Sequence, residues 1–425
     1  MQLPQIKQFL KNKSLRNVML IMSGTFLSQL LPILFFPILS RLYTPADYGV
    51  LGIFMSISML LVVISNLQLN HAILLPKLNE DALSIFSSGL FLVSIFSLFI
   101  GCISFLFAEL ISNFFKTNGY RYWVYFLPFS ILLSGMNVQL SSWFLRSGNF
   151  KVITKSRVSA SVVSILVSLS IVLIYPGPAG LVISYFAGTA ANTVVLLWFF
   201  ENKPQVFRVQ SWQCHVKNIS TYNQFPVYTL PTELISNFVQ QLPIYIFSFY
   251  SGVQSVGWFS RSRQMLGLPI TYFSSSISEV YKQRASDAFR NNPAHLKPLF
   301  LKTFRSLALV AIIPFLVITV FSPDIFALVF GENWRQAGVF TQVLAVMYFF
   351  KLVISPLTYN FYLFSKQRLD FLLHILIIII TSAGLFIGFF FFDSAIKALL
   401  FFSIAYSIVY VIYGFYSYHF IDQKS

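Results

Sequence analysis

The sequence is poor in charged side chains. Asp, Glu, Lys and Arg make up 10% of its 425 residues, whereas roughly a quarter of a typical soluble domain is charged. Hydrophobic residues account for 56%, and phenylalanine alone occurs 49 times. A chain with so few charges cannot cover a water-exposed surface, so most of it is expected to lie in lipid. The composition therefore predicts an integral membrane protein.

Residues that carry catalytic or metal chemistry are also scarce. There are two cysteines, Cys102 in an apolar stretch and Cys214 in a connection, which excludes a disulfide framework and a cysteine metal site. The sequence contains no glycine-rich phosphate loop, and its five histidines are scattered along the chain. These absences predict a protein that is not an enzyme, does not use ATP and carries no cofactor or metal.

Apolar stretches dominate what is present. Twelve of them approach or exceed the roughly 20 residues that a membrane-spanning helix needs. The predicted spans, numbered in chain order, are 17–40, 48–70, 83–108, 122–145, 157–175, 179–200, 226–250, 254–278, 300–322, 337–363, 369–392 and 395–418. The connections between them are short. The sequence therefore predicts an all-α membrane protein of about 12 transmembrane helices.

The basic residues are sorted along the chain. Of 29 Lys and Arg residues, 21 fall in the two terminal segments, in every second connection or at the span ends beside it, 5 fall in the other connections or at their span ends, and 3 lie well inside spans. An excess of Lys and Arg on one side marks the cytoplasmic side, so both termini are predicted to be cytoplasmic. The net charge of +16 is then explained by attraction to the anionic inner leaflet, and nucleic acid is not an expected partner.

Two short patterns recur along the chain. Leu31-Pro32-Ile33 in span 1 is echoed by Leu242-Pro243-Ile244 in span 7, and the segment that begins at Phe144 resembles the one that begins at Tyr362. Similar offsets in the same order predict two six-helix lobes of like topology, as in transporters built from parallel repeats. The predicted lobes are 1–205 and 206–425, arranged around a central cavity. Chance similarity between apolar segments is the alternative.

Polar side chains concentrate in spans 1, 2, 7 and 8. In span 7, Glu233, Asn237 and Gln240 recur at helical spacing on one face. The residues predicted to line the cavity are Gln29, Asn66, Asn70, Asn237, Gln240 and Gln264. The alternative is that such side chains join helices by hydrogen bonds of about 0.6–2 kcal/mol each, and for isolated Ser and Thr this alternative is preferred.

Four charged residues lie more than six residues from either end of a predicted span: Glu233, Arg261, Arg263 and Lys351. A charge at the centre of a bilayer costs at least about 2.5–3.5 kcal/mol, so such a residue is a candidate for function. Arg261 heads the polar face of span 8 and is preferred for the cavity. Arg263 points about 200° away on the same helix, so both can face one cavity only if Arg263 lies near the outer headgroups. Glu233 is predicted to bind a coupling ion or, alternatively, to pair with a buried cation.

Two stretches resemble a known family. The first, 37–49, reads Pro37-Ile38-Leu39-Ser40-Arg41-Leu42-Tyr43-Thr44-Pro45-Ala46-Asp47-Tyr48-Gly49. It is similar to the first loop of the polysaccharide transporter family, the Wzx-type O-antigen flippases of the MATE/polysaccharide exporter superfamily. Ala72-Ile73-Leu74-Leu75-Pro76-Lys77, followed by Glu80-Asp81, resembles the second loop of the family. Family members commonly have a basic and an acidic residue just before this segment, where Gln68 and Asn70 stand here.

The resemblance implies a flippase of the bacterial inner membrane. Its substrate would be an undecaprenyl-pyrophosphate-linked oligosaccharide, moved from the cytoplasmic to the periplasmic leaflet for O-antigen or another surface polysaccharide. Arg41, Arg261 and Lys351 would attract the pyrophosphate, and Glu233 would bind the coupling ion. A proton or sodium gradient would supply the energy. Polysaccharide polymerase and chain-length proteins are further expected partners.

Two other functions fit parts of the sequence. A multidrug or cation antiporter of the same superfamily would need an acidic cavity, but the cations within these spans outnumber the single acid by three to one. A membrane-embedded polysaccharide polymerase would usually present a large outside loop, and every predicted outside connection is short. The sequence therefore favours the flippase.

Overall fold

A computed structural model describes residues 13–117, 121–201 and 211–422, without the side chains of residues 13–23, 268, 269, 272 and 276. The helices are α1 (Lys13–Leu34), α2 (Phe36–Leu42), α3 (Pro45–Ser65), α4 (Leu69–Ala72), α5 (Asn79–Phe114), α6 (Tyr122–Arg146), α7 (Phe150–Val172), α8 (Pro178–Trp198), α9 (Trp212–Thr221), α10 (Leu230–Asn291), α11 (Leu296–Phe330), α12 (Arg335–Ile354), α13 (Asn360–Leu363), α14 (Gln367–Phe392) and α15 (Ala395–Asp422). The described ranges contain no strand, which confirms the predicted all-α class. The predicted lobe boundary at 205/206 lies outside the described residues. So do five of the basic residues counted above on the predicted cytoplasmic side: Lys7, Lys11, Lys203, Arg208 and Lys424.

Nine described helices are long and apolar enough to cross a membrane, and the pair α1–α2, bent by 41°, brings the number to 10. These ten correspond to predicted spans 1–6 and 9–12. Predicted spans 7 and 8 both fall in α10, which is too polar to be among the apolar candidates. The chain is therefore a multi-pass membrane protein, and the crossing of the bilayer by α10 stays a prediction.

Helix α10 is two helices joined at Gly252. This residue has φ 77° and ψ 176°, a backbone conformation that glycine adopts far more readily than any residue with a Cβ. The rings of Phe247 and Phe259 stack with centroids 5.2 Å apart, although twelve residues of straight helix would separate them by about 18 Å. The chain therefore folds back at Gly252, between the predicted ends of spans 7 and 8.

The chain divides into two compact units, 1–241 and 242–425. In the first, Phe86, Trp143 and Phe200 belong to a core built from α5, α6 and the end of α8. In the second, a core around Phe361 and Tyr413 joins α13, α14 and α15. Each unit thus has a hydrophobic centre of its own.

The PILSRLYTPADYG stretch fixes the junction of α2 and α3. Thr44 caps α3, because its hydroxyl accepts from the Asp47 amide at 3.3 Å while the Asp47 carboxylate accepts from the Thr44 amide at 2.8 Å. The buried Tyr43 hydroxyl donates to the carbonyl oxygen of Ser168 in α7 at 2.7 Å. Gly180 of α8 lies against the same hydroxyl, and a Cβ at this position would collide with it. The motif therefore holds four helices together.

The second motif loop is held by Arg146 at the end of α6. Its guanidinium donates to the carbonyl oxygens of Ile73 at 3.0 Å and Leu78 at 3.4 Å, and to Asn79 Oδ1 at 3.3 Å. One guanidinium satisfies several acceptors at once because its donors form a rigid fork. The segment Ala72–Lys77 thus follows a path that is set by α6.

Helix α9 packs on α5 through polar side chains. Asn218 Nδ2 donates to Ser84 Oγ at 2.9 Å and to Ser88 Oγ at 2.8 Å. His215 Nδ1 lies 3.0 Å from Ser88 Oγ, and its ring stacks on Phe91 with centroids 4.3 Å apart. His215 is buried, and burial lowers the pKa of its imidazole.

Replacing Gly180 by alanine should destabilise the protein by about 1–3 kcal/mol, as overpacking does. The added methyl group displaces the Tyr43 hydroxyl from Ser168. Thermal unfolding of the purified protein, followed by size-exclusion chromatography, measures the effect. Gly101→Ala is the control, because its Cβ would meet no heavy atom closer than 3.7 Å. Equal unfolding temperatures for the two variants would contradict the packing described.

Docking of α9 should weaken on acidification. Since the pKa of His215 is lowered, the docked state binds its proton less readily than the undocked state, whose pKa is near 6.5. Docking is therefore fully stable above about pH 6.5 and loses stability as the pH falls toward the lowered pKa. Amide hydrogen exchange of Trp212–Thr221, corrected for intrinsic rates, should be faster at about pH 5.5 than at about pH 7.5. His215→Gln should abolish this difference, and its persistence in that variant would refute the role of His215.

Candidate functional site

The three cations that lie well inside predicted spans all belong to the second unit. Arg261 and Arg263 are on α10, Lys351 is on α12, and all three side chains are half-buried. Glu233 belongs to the first unit. The second unit therefore carries the positive charge that is conspicuous in the predicted spans.

Lys351 is held by aromatic rings. Its Nζ lies 5.8 Å from the ring centroid of Tyr348, one turn earlier on α12, and 5.8 Å from that of Tyr406 on α15. An aromatic face attracts a cation by about 0.5–2 kcal/mol without neutralising it. Among the described residues of the second unit, no carboxylate forms an ion pair with Lys351. Its full positive charge is therefore available to an anion.

Arg263 joins the same aromatic group. Its guanidinium carbon lies 5.9 Å from the ring centroid of Phe259, and Tyr348 is one of its electrostatic neighbours. Tyr348 therefore lies near both Arg263 on α10 and Lys351 on α12. The angle between two residues of one helix does not show how α10 packs on α12. That packing is fixed by Ser262, whose hydroxyl donates to the carbonyl oxygen of Ala337 at 2.7 Å.

Arg261 bonds to another predicted cavity residue. Its Nη1 donates to Gln264 Oε1 at 2.6 Å, one turn along α10. A neutral amide oxygen orients the guanidinium but leaves its charge in place. Arg261 and Gln264 therefore form one polar group in the second unit.

Glu233 has a neutral partner on its own helix. Asn237 Nδ2 donates to the Glu233 carbonyl oxygen at 2.7 Å and to its carboxylate Oε2 at 3.3 Å. Asn237 is buried, Glu233 is half-buried and Gln240 is exposed. The carboxylate is thereby oriented without being neutralised.

The two asparagines predicted from span 2 are buried within the first unit. Asn66 Oδ1 accepts from Gln139 Nε2 of α6 at 2.9 Å, and Asn66 Nδ2 donates to the Val62 carbonyl oxygen at 2.8 Å. Asn70 lies in the short helix α4 and is 7% exposed. The Asn66–Gln139 bond joins α3 to α6, which is the interhelical role named above as the alternative for such side chains.

The two remaining predicted residues are exposed. Gln29 lies on α1 and Arg41 lies in the last turn of α2. A cation in the last turn of a helix is stabilised by the helix dipole. Whether Gln29, Arg41 and the polar residues above line a common cavity stays a prediction.

A titratable group at the start of α14 is not among the residues predicted from the sequence. The Tyr413 hydroxyl donates to the Asp370 carbonyl oxygen at 2.9 Å and lies 2.7 Å from His374 Nδ1. His374 Nδ1 also lies 3.0 Å from the Asp370 carbonyl oxygen, so the three groups form one hydrogen-bonded cluster between α14 and α15. The side chain of Asp370 lies 3.6 Å from His374 Nδ1.

A row of tyrosines connects this group to Lys351. The rings of Tyr406 and Tyr410 stack with centroids 5.0 Å apart, and those of Tyr410 and Tyr413 are 6.0 Å apart. Tyr406, Tyr410 and Tyr413 recur at i, i+4 and i+7 in span 12. This spacing indicates from the sequence alone that their side chains lie on one face of the helix. In the described part of the chain, no three His, Cys, Asp or Glu residues gather as a metal site would require.

Solved structures of transporters share the fold of this chain. A lipid II flippase MurJ in an inward closed conformation has a TM-score of 0.65 and 15% identity, and the alignment covers 94% of this chain and 87% of that one. An inward-facing multidrug resistance MATE transporter of the MOP superfamily has a TM-score of 0.63 and 12% identity, and the alignment covers 95% of this chain and 94% of that one. A MOP superfamily transporter from Pyrococcus furiosus Vc1 (DSM3638) has a TM-score of 0.55 and 13% identity, and the alignment covers 98% of this chain and 97% of that one. At such low identities these similarities establish the fold alone.

The sequence itself matches one family. No curated protein matches the chain, but the family described as "Polysaccharide biosynthesis protein" matches residues 38–339. That range includes both motif loops, α10 and the start of α12. This match confirms the resemblance drawn from residues 37–49 and 72–81. The chain therefore belongs to the polysaccharide biosynthesis protein family and has the fold of the MOP-superfamily transporters.

Proposed function

We propose that this protein flips an undecaprenyl-pyrophosphate-linked oligosaccharide from the cytoplasmic to the periplasmic leaflet of a bacterial inner membrane. The product would serve assembly of O-antigen or another surface polysaccharide, together with polymerase and chain-length proteins. Membership of a polysaccharide biosynthesis family supports the cargo class, and the transporter fold supports movement across the membrane rather than catalysis.

The arrangement of Arg263, Tyr348 and Lys351 carries the proposal. Two cations lie near one tyrosine in a largely apolar unit: Lys351 lies against the rings of Tyr348 and Tyr406 rather than carboxylates, and Tyr348 is an electrostatic neighbour of Arg263. A pyrophosphate suits such a group, because a guanidinium binds phosphate oxygens in pairs and an ammonium adds a point charge. Arg261, oriented by Gln264, adds a third positive charge, and Arg41 would attract the same headgroup.

An ion gradient would drive the cycle. Glu233 is the candidate for ion coupling. Asn237 orients its carboxylate without neutralising it, so the carboxylate would be able to bind a proton or a sodium ion. MurJ is a lipid II flippase, which supports a lipid-linked cargo on this fold. For the Pyrococcus furiosus transporter, the reverse polarity of its binding pocket suggests a different function. Pocket charge is thus a reasonable guide to cargo, and the cations here disfavour export of cationic drugs.

Removing the positive charges should abolish flipping. In a deletion strain, Arg261→Gln/Lys351→Gln should lower surface polysaccharide about 10- to 100-fold, since a bond to a charged group contributes about 1.5–3 kcal/mol. Lipid-linked oligosaccharide should accumulate while the protein stays in the membrane. Surface polysaccharide, membrane protein and lipid-linked intermediate are measured in parallel.

Lys397→Gln is the matched control. Lys397 also lies over an aromatic ring, with Nζ 4.4 Å from the centroid of Phe392, but it is at the predicted outer end of span 12. This variant should keep normal surface polysaccharide. Normal polysaccharide in the Arg261/Lys351 double variant would refute the proposal. Increased sensitivity of the deletion strain to cationic drugs, with its polysaccharide intact, would instead favour the antiporter.

A further inference from the structure

The outer face of α11 carries a groove of about 690 Å³ that the proposed transport function does not use. It lies in the first four turns of the helix, within the second unit. The lining residues are Ala294, Lys297, Pro298, Leu301, Lys302, Arg305, Ser306 and Leu309. Its volume falls within the usual range of small-molecule sites, about 300–1,000 Å³.

The groove has a polar end of one charge sign. Lys302 and Arg305 are exposed, and neither side chain makes an ion pair or hydrogen bond with the described part of the protein. Lys297 is anchored by Asp422 at 2.6 Å and lies over the ring of Tyr418. Residues 294–323 contain no Asp or Glu. Two basic side chains are therefore available to an anion, and the third is fixed beside them.

The other end of the groove runs into an exposed apolar surface. Along α11, Leu309, Ile313 and Leu316 follow Arg305 at helical spacing, and all three are more than half exposed. Only 17% of the apolar stretch of this helix is buried. Exposed apolar residues of a membrane-spanning helix contact acyl chains, so this surface is suited to a lipid tail.

A head-and-tail ligand matches both ends of the groove. Lys302 and Arg305 lie near the N-terminal end of α11, which the distribution of Lys and Arg predicts to be cytoplasmic. The cytoplasmic leaflet is rich in anionic lipids, and basic pockets at this level bind their headgroups. A soluble anion would match the basic end but would leave Leu309 and the residues beyond it without a partner.

We propose that this groove is a binding site for an anionic phospholipid, with the phosphate at Lys302 and Arg305 and one acyl chain along Leu309, Ile313 and Leu316. The site is separate from Arg261, Arg263 and Lys351, and it does not depend on which cargo the protein moves. It would hold the second unit at a fixed depth in the leaflet.

The purified full-length protein tests this site by native mass spectrometry. Dioleoyl phosphatidylglycerol is the probe, and dioleoyl phosphatidylcholine is the uncharged comparison. Each basic residue near an anionic surface contributes about fivefold in affinity, so Lys302→Gln/Arg305→Gln should weaken the tightest phosphatidylglycerol site about thirtyfold. Leu309→Asn keeps both positive charges but replaces an apolar contact of the acyl chain, so it should also weaken binding of phosphatidylglycerol.

The matched control is Lys366→Gln/Arg368→Gln. It removes two exposed charges from the same predicted side of the membrane, outside the groove, and should leave the affinity within about twofold, as expected of surface substitutions. An equal loss in this control, equal binding of phosphatidylcholine, or displacement of the lipid by inorganic phosphate alone would each overturn the proposal. Because Lys302 and Arg305 are exposed, both double variants are expected to fold, and size-exclusion chromatography checks this.

Discussion

Lipid offers no hydrogen bonds, and this constraint governs where polar side chains occur in the protein. Every polar group in an apolar layer must find a partner within the protein or lose several kcal/mol. In the first unit the partners are neutral: Asn66 bonds to Gln139, and Tyr43 bonds to a backbone carbonyl of α7. Each bond joins two helices, so the need for a partner also sets which helices pack together.

The second unit satisfies the same constraint in a way that preserves charge. A carboxylate beside Lys351 would cancel its field, whereas the faces of Tyr348 and Tyr406 stabilise the ammonium and leave the field intact. The amide of Gln264 has the same effect on Arg261. Such an arrangement keeps positive charge inside the unit, which is what the proposed carriage of a phosphorylated cargo requires.

The periodicity and charge of the sequence were sufficient to predict the fold class, ten of the spans and the break near Gly252, because those signals are local. They were also sufficient to single out Arg261 and Lys351, since a cation in an apolar stretch is conspicuous by itself. They did not show that Arg263 lies near Tyr348 or that His374 contacts Tyr413, because in each case the two residues are on different helices and meet only through tertiary packing. The predicted spans 7 and 8 differ from the other ten in polarity, as expected of helices rich in Glu, Asn and Gln.

The contact between Tyr43 and Gly180 bears on how related chains should be compared. In this protein the tyrosine of the PILSRLYTPADYG stretch has its hydroxyl on α7 and its ring against a glycine of α8, so its place in the motif is explained by helix packing. A search that relies on this stretch will therefore gather proteins of one architecture, whatever sugar they handle. Under the proposed function, sorting such proteins by cargo calls instead for the residues around Tyr348, where a change of one side chain would alter the charge that the cargo meets.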